Sequence, residues 1–222
     1  KVGGTTLIKN KAALITSVII LVICMSLFFP FPNNVMLEAR ATFMSFPIRT
    51  EDGYIWLGVI GSILFIIAMV LLMKSITKYR VRTFLIAVIV YMFLPQLLIT
   101  VYQETLASGI YAISYNNNGS CDFNAEGEDL LKGECNFVFQ NRSNQDVTFE
   151  LVFLDSSFME EIRMESLMNL AGPYIITIEA NGKKSINLKE LLNVKDVPNH
   201  IEGGSSNEVH FKLIDGNAER IL

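Results

Sequence analysis

Three long runs of uncharged, mostly apolar residues fill the first half of the chain. They cover Ala12–Leu37, with an apolar core that ends at Phe31, then Gly53–Met73 and Thr83–Gln103. Each run reaches about 20 residues, which a helix needs to cross roughly 30 Å of hydrocarbon. The first run is too long for the apolar part of a signal peptide and is expected to be an anchor. The pattern therefore predicts three transmembrane helices within residues 1–104.

The segment between the first two runs mixes apolar and charged residues. Over Val35–Asp52 this mixture is typical of an amphipathic segment that lies along the membrane surface. Tyr54 and Trp56 follow, at the point where the second run begins. Aromatic residues with a polar edge concentrate at the headgroup level, so these two are expected to mark the outer membrane surface.

From Gly109 onward the apolar residues recur at every second position, which is typical of half-buried strands. The turns Arg142–Asp146 and Asn181-Gly182 each predict a hairpin between the flanking strands. A helix is expected over Ser157–Leu170, ended by Gly172-Pro173. The predicted strands are Ile110–Tyr115, Asn136–Asn141, Val147–Leu154, Tyr174–Glu179, Lys184–Leu188 and Glu208–Ile214.

These elements predict a membrane α+β protein. Three transmembrane helices in residues 1–104 would be followed by an exterior antiparallel β-sandwich of immunoglobulin-like character in residues 105–222. The buried tryptophan of immunoglobulin domains is missing, because Trp56 lies in the membrane half. The strand topology therefore stays open at this point.

Charge divides the chain in the same place and predicts its orientation. Residues 1–102 carry nine Lys/Arg and three Asp/Glu, a net charge of +6, whereas residues 103–222 carry a net charge of −10. The basic residues cluster before the first helix and between Lys74 and Arg82. The positive-inside rule places both segments in the cytoplasm and the acidic half outside the cell membrane. The acidic half also argues against nucleic acid as a partner.

The cysteines agree with this orientation. Cys121 and Cys135 both fall in the predicted exterior half, where an oxidising compartment favours a disulfide. Cys24 lies within the first helix and is expected to stay free. Zinc is not expected, because His200 and His210 are distant in sequence and no CxxC pair is present.

The membrane helices carry few polar residues that indicate a role. In the second helix, Gly58, Gly61 and Ser62 form a small-residue face of the kind that lets another helix approach closely. Glycine is also simply common in membrane helices, which explains the face equally well. In the third helix, Pro95 should produce a kink and Gln96 is able to hydrogen-bond to a neighbouring helix.

One acidic segment resembles the first half of a calcium-binding loop. The potential oxygen ligands Asp122, Asn124, Glu126 and Glu128 alternate along it. The second half of the motif fails, because the twelfth position is Gly133. Ca²⁺ is the one cofactor that the sequence suggests, and a solvated acidic loop is the alternative.

Two N-glycosylation sequons begin at Asn118 and Asn141, and both are interpreted as chance matches to a short motif. No recognisable catalytic motif is present, so we expect a protein without enzymatic activity. The favoured function is that of an accessory or scaffold subunit that docks to a larger membrane protein, or to copies of itself, and binds or braces a partner with its exterior domain. The alternatives are an exterior ligand-binding receptor or sensor, and an oligomeric pore or transporter subunit.

Overall fold

The structure, a computed structural model of the chain, describes residues 8–34, 39–50, 53–155 and 162–222. The chain forms two compact units, Lys1–Ile99 and Thr100–Leu222. The first unit is mainly helical. The second contains the antiparallel sheets, so the chain is an α+β protein.

Three α-helices follow the apolar runs of the sequence: α1 spans Lys11–Leu27, α2 spans Trp56–Ser75 and α3 spans Arg80–Thr105. Two of them, α2 and α3, are long and apolar enough to cross a membrane. α1 is apolar but has 17 residues. It ends at Leu27, shortly before Pro30 and Pro32, because a proline disfavours helical backbone in the residue before it.

The connection between α1 and α2 is a small antiparallel sheet. Its strands are β1 (Ala41–Phe43), β2 (Phe46–Thr50) and β3 (Gly53–Tyr54), in the order β1-β2-β3. The segment Val35–Asp52, predicted to lie along the membrane surface, forms strands in its described part, and its location at the membrane surface stays a prediction. Residues 35–38 and 51–52 of that segment lie outside the described part. The sheet forms because β2 turns Phe46 and Pro47 inward, where both are buried.

The second unit begins with a 3₁₀ helix, Gly109–Ala112, where the sequence predicted the start of a strand. Two antiparallel sheets follow. The strands of the first sheet are β4 (Ile113–Tyr115), β5 (Ser120–Ala125), β6 (Leu130–Asn141), β9 (Lys183–Asn193) and β10 (Gly204–Ser206). Those of the second are β7 (Val147–Leu154), β8 (Tyr174–Ile178), β11 (His210–Asp215) and β12 (Ala218–Ile221). In the first sheet, β6 pairs with β5, β4 and β9, and β5 also pairs with β10. In the second sheet, the strand order is β12-β11-β7-β8.

Both predicted hairpins were wrong. The consecutive strands β6 and β7 belong to different sheets, and the consecutive strands β8 and β9 do too. The physical reason is that the inward side chains of β6 and β7 pack against each other across the core between the two sheets. The two strands are therefore not hydrogen-bonded neighbours in one sheet. The rings of Phe137 and Phe153 lie 5.9 Å apart, and those of Phe139 and Phe149 lie 5.8 Å apart.

The core of the second unit is built largely from phenylalanine. Each fully buried ring of this kind contributes about 2–3 kcal/mol through removal of apolar surface from water. Both sheets contribute, so their inward faces share a single hydrophobic cluster. The fully buried rings belong to Phe123, Phe137, Phe139, Phe149, Phe153 and Phe211.

The predicted helix over Ser157–Leu170 is a 3₁₀ helix, Glu165–Ala171, in its described part, and residues 156–161 lie outside that part. The Asp155 carboxylate explains where this helix begins, because it accepts hydrogen bonds from the backbone N–H groups of Met164 and Ser166 at 2.9 and 2.8 Å. Leu167 and Met168 are buried in the core. The helix therefore contributes to the hydrophobic core beside the sheets.

Candidate functional site

The small-residue face of α2 is buried within the first unit. A Cβ atom placed on Gly58 would lie 1.7 Å from the carbonyl oxygen of Pro47, and one on Gly61 would lie 2.8 Å from the ring of Phe46. The Ser62 hydroxyl donates to the Gly58 carbonyl at 2.8 Å within the same helix. The small residues thus admit strand β2 of the same chain, and the spacing in the sequence could not reveal which segment would fill the space.

Polar side chains join α1 to α2 along the rest of their contact. The buried Ser17 hydroxyl donates to the Ala68 carbonyl at 2.7 Å. The Cys24 thiol lies 3.8 Å from the Gly61 carbonyl and is buried and unpaired, as predicted. These contacts hold the two helices at close range without charged groups.

An aromatic cluster fills the space beside β2. The Phe46 ring lies 5.5 Å from Phe28, 6.0 Å from Phe65 and 6.1 Å from Tyr91, measured between centroids. Phe46 is fully buried. Strand β2 therefore anchors the first unit by one ring that contacts α2, α3 and the residue directly after α1.

Most side chains of α3 are exposed along its length, in contrast to α2, whose buried residues form a continuous contact face. Phe93 is 67% exposed and Leu97 is 59% exposed. Between them lies Gln96, whose side chain is also exposed and makes no hydrogen bond to the described residues. An apolar helix thus displays one unsatisfied amide in its second half.

The disulfide between Cys121 and Cys135 is confirmed. The two residues occupy directly opposite positions on β5 and β6, with Cα atoms 4.1 Å apart, and both are fully buried. The bridge lies inside the cluster of apolar residues that the two sheets share. It therefore connects neighbouring strands at the centre of the unit.

The predicted calcium ligands lie on a strand and the turn that follows it. Asp122 and Asn124 are exposed residues of β5, which is extended and does not curl around a central point. Glu126 and Glu128 belong to the exposed turn between β5 and β6. No cluster of three or more metal-ligating residues occurs in the described part of the chain. A Ca²⁺ site there stays a prediction.

The position opposite Asp122 is already occupied by an ion network. Glu134 accepts hydrogen bonds from the ammonium groups of Lys189 at 2.8 Å and Lys132 at 2.9 Å. These bonds lower the pKa of Glu134 to about 2 and raise that of Lys132. The carboxylate opposite Asp122 is therefore already paired with two ammonium groups, which disfavours its use as a ligand for a further cation.

Two buried polar side chains that the sequence did not single out hold the start of the second unit. The Arg220 guanidinium donates to the carbonyls of Ile110, Tyr111 and Ile113 at 2.6–3.0 Å. The Gln103 amide donates to the carbonyls of Tyr111 and Ile113, both at 3.0 Å. Burial lowers the pKa of Arg220 to about 10. The alternation of β12 turns Arg220 inward, but nothing in the sequence shows which carbonyls it meets.

The second unit also contains a polar cleft of about 280 Å³, which is lined by Glu104, Gln140, Asn141, Arg142 and Asn181. Arg142 donates to Glu104 at 2.7 Å and to the Ser114 hydroxyl at 3.2 Å. The guanidinium and the carboxylate therefore largely satisfy each other. The cleft is small and open, and its charged groups are internally paired.

The two sequons differ sharply in accessibility. Asn141 is fully buried, and its amide donates to the carbonyls of Gln145, Ile178 and Glu179 at 2.7–3.2 Å. Asn118 is exposed in the turn before β5. The folded unit therefore leaves only Asn118 of these two asparagines open to modification.

The chain matches no protein-family model, and comparison with curated proteins and with solved structures finds no significant match.

Proposed function

We propose that this protein is a non-enzymatic accessory subunit of a membrane protein complex. All three helices cross the cell membrane, the N-terminus is cytoplasmic, and the second unit lies outside as an immunoglobulin-like sandwich that binds or braces a partner. The helices dock to a larger membrane protein, and the docking surface is α3.

Three crossings are supported by the lengths and contacts of the helices. α2 and α3 meet the length requirement on their own. The 17 residues of α1 extend about 25 Å, close to the lower limit for a crossing helix. α1 packs along α2 through Ser17 and Cys24. A helix pair packed in this way has an apolar exterior, as expected in lipid.

The orientation and the exterior fold are supported by independent features. The segment Lys74–Arg82 carries basic residues and no acidic ones, which favours the cytoplasm. The Cys121–Cys135 disulfide is compatible with a domain outside the cell. The crossings of the chain between the two sheets, from β6 to β7 and from β8 to β9, are typical of Greek-key sandwiches.

The single observation that carries the docking proposal is the free amide of Gln96. Water is absent from the bilayer core, so a side-chain amide there is stabilised by a polar partner on a neighbouring helix. Within the described part of the chain, no residue supplies that partner. The small-residue face of α2 is already filled by strand β2 of the same chain, so it is not available to another protein. A helix of a second membrane protein, with a polar group facing Gln96, fits α3.

The test is purification of the full chain from its native membrane in mild detergent, with identification of the membrane proteins that accompany it. Gln96→Leu should lower partner retention about fivefold, because an interhelical hydrogen bond contributes about 1 kcal/mol in a membrane. Gln96→Asn preserves the amide and should retain more partner than Gln96→Leu. Phe93→Leu, on the exposed part of the same helix, is the matched control and should bind normally.

Three outcomes would contradict the proposal. Equal partner retention by the Gln96→Leu and Phe93→Leu variants would remove the role of the amide. A homo-oligomer without any other protein would favour the pore subunit. A monomer without any partner would favour the receptor.

A further inference from the structure

Six basic residues that lie far apart in the sequence meet at one end of the first unit, which we call the basic end. All six are exposed, and none makes an ion pair with a described residue. The segments that carry them, residues 8–11 and 74–82, contain no acidic residue. The six residues are Lys9, Lys11, Lys74, Lys78, Arg80 and Arg82.

Backbone contacts bring the N-terminal lysines to the loop between α2 and α3. The N–H groups of Lys9 and Asn10 both donate to the Ser75 carbonyl, at 2.7 and 3.2 Å. Ile8 and Ile76 form an isolated antiparallel bridge. The start of α1, the end of α2 and the start of α3 therefore lie together, and their cations form one surface.

The side chains of the loop are held in place. The Arg80 Nε donates to the Ile76 carbonyl at 2.9 Å, which leaves its two terminal amino groups free to donate in parallel. Tyr79 has a left-handed backbone (φ 63°) and is 57% exposed. The Lys78 ammonium lies 5.4 Å from the centre of the Tyr79 ring. An exposed tyrosine beside lysine and arginine is typical of the headgroup level of a bilayer.

Electrostatics makes an unoccupied basic end unfavourable. Each helix N-terminus carries partial positive charge, and acidic residues usually balance it in the first turn. α1 and α3 have no acidic residue in the first turn, and cationic residues begin both helices. The end of α2 supplies partial negative charge there, but six cationic side chains and two helix starts outweigh it, so the basic end attracts anions.

We propose that the basic end binds the phosphate headgroups of anionic phospholipids in the membrane leaflet that surrounds it. Charge complementarity and position select this partner. The cations lie at the ends of helices long and apolar enough to cross the membrane, where the phosphate groups of the lipids are located. This inference uses the membrane location in the proposed function but not the docking through Gln96.

The test measures lipid retention by the purified full chain in detergent, where orientation in a membrane has no influence. The chain is titrated with phosphatidylglycerol or phosphatidylcholine, and bound lipid is counted by native mass spectrometry. The unmodified protein should prefer phosphatidylglycerol, and the preference should fall with added salt. Lys74→Gln and Arg82→Gln should each lower the affinity for phosphatidylglycerol about fivefold, because a basic residue at an anionic lipid surface contributes about 1 kcal/mol.

The two substitutions Lys74→Gln and Arg82→Gln are also combined in one variant, which removes two positive charges from the basic end. Its matched control combines Lys183→Gln with Lys195→Gln, which removes two positive charges from the second unit. The control should bind phosphatidylglycerol as the unmodified protein does. Equal retention of the two lipids, or an equal loss in test and control variants, would overturn the proposal. Displacement of phosphatidylglycerol by poly-glutamate at low concentration would also overturn it, in favour of an acidic protein partner. These results do not depend on partner co-purification, so the two proposals fail separately.

Discussion

Replacing Gly58 by alanine tests whether strand β2 is seated on α2. The new Cβ atom would lie 1.7 Å from the Pro47 carbonyl oxygen and 2.7 Å from its carbon. Real Cβ atoms essentially never approach a neighbour closer than 3.0 Å. The obstacle is backbone, so β2 as a whole must move away by more than an ångström. That movement withdraws Phe46 from the three rings that it contacts.

The expected cost follows from two opposing effects. Forcing an extra carbon into a packed core typically costs about 1–3 kcal/mol, and contact with backbone places this site at the upper end. Alanine is more favourable than glycine in a helix by about 1 kcal/mol. The net effect should be a loss of about 2 kcal/mol in the free energy of unfolding of the first unit.

The chain has one tryptophan, Trp56, at the start of α2, so its fluorescence reports on the first unit alone. Unfolding by a denaturing detergent, followed at Trp56, gives the change in free energy. Val70→Ile also adds one carbon to α2, but at a side chain that is 38% exposed, and is the matched control. If Gly58→Ala and Val70→Ile unfold at the same point, β2 does not fill the small-residue face, and the inference that this face is unavailable to a partner is refuted.

Two further predictions concern the second unit. Replacing both Cys121 and Cys135 by serine should lower its free energy of unfolding by about 2–5 kcal/mol, measured by circular dichroism of the full chain, and an unchanged value would show that the bridge is not structural. Burial lowers the pKa of His210 below its ordinary 6.5, although the negative charges of Glu165 and Glu208 act to raise it. The folded state therefore prefers the neutral ring. Stability should therefore fall as the pH drops below 6.5, and His210→Gln should weaken this dependence. Glu134, with a pKa of about 2, loses its contribution only between pH 4.5 and about 2, so its titration is separate from that of the histidine.

The helices could be predicted from the sequence because their cause is local. Long uncharged apolar runs favour helices over other structures, and α2 and α3 follow the predicted runs closely. α3 begins at Arg80, earlier than the predicted Thr83, because a helix continues into charged residues at its end. The end of α1 at Leu27 is local in the same way, because Pro30 and Pro32 follow it closely.

Strand pairing could not be predicted because it is not local. Alternation identifies which side of a strand is buried, but it does not identify the neighbouring strand. The Asn181-Gly182 turn favoured a hairpin, yet the chain uses it to pass from one sheet to the other. β5 was missed because its polar residues Asp122 and Asn124 form the exposed half of an alternating strand and were interpreted as a loop.

The candidate site shows the same division between local and distant causes. The spacing of Gly58, Gly61 and Ser62 predicted a close approach, and the structure places a segment at that distance. The approaching segment is strand β2, and the spacing of the small residues does not indicate that the chain turns back and places this strand there. Arg220 and Gln103 escaped prediction for a related reason, because their acceptors are carbonyls of residues far away or beyond a turn.

The location of the two units relative to the membrane is the central claim, and cysteine labelling in intact cells tests it most directly. Single cysteines are introduced by Lys78→Cys in the loop between α2 and α3 and by Lys195→Cys in the second unit, both at exposed positions. The buried Cys24 and the bridged pair give little background. With a thiol reagent that does not cross membranes, the Lys195→Cys protein should react in intact cells, and the Lys78→Cys protein should react only after the cells are opened. The opposite labelling, or equal labelling of both positions in intact cells, would contradict the account.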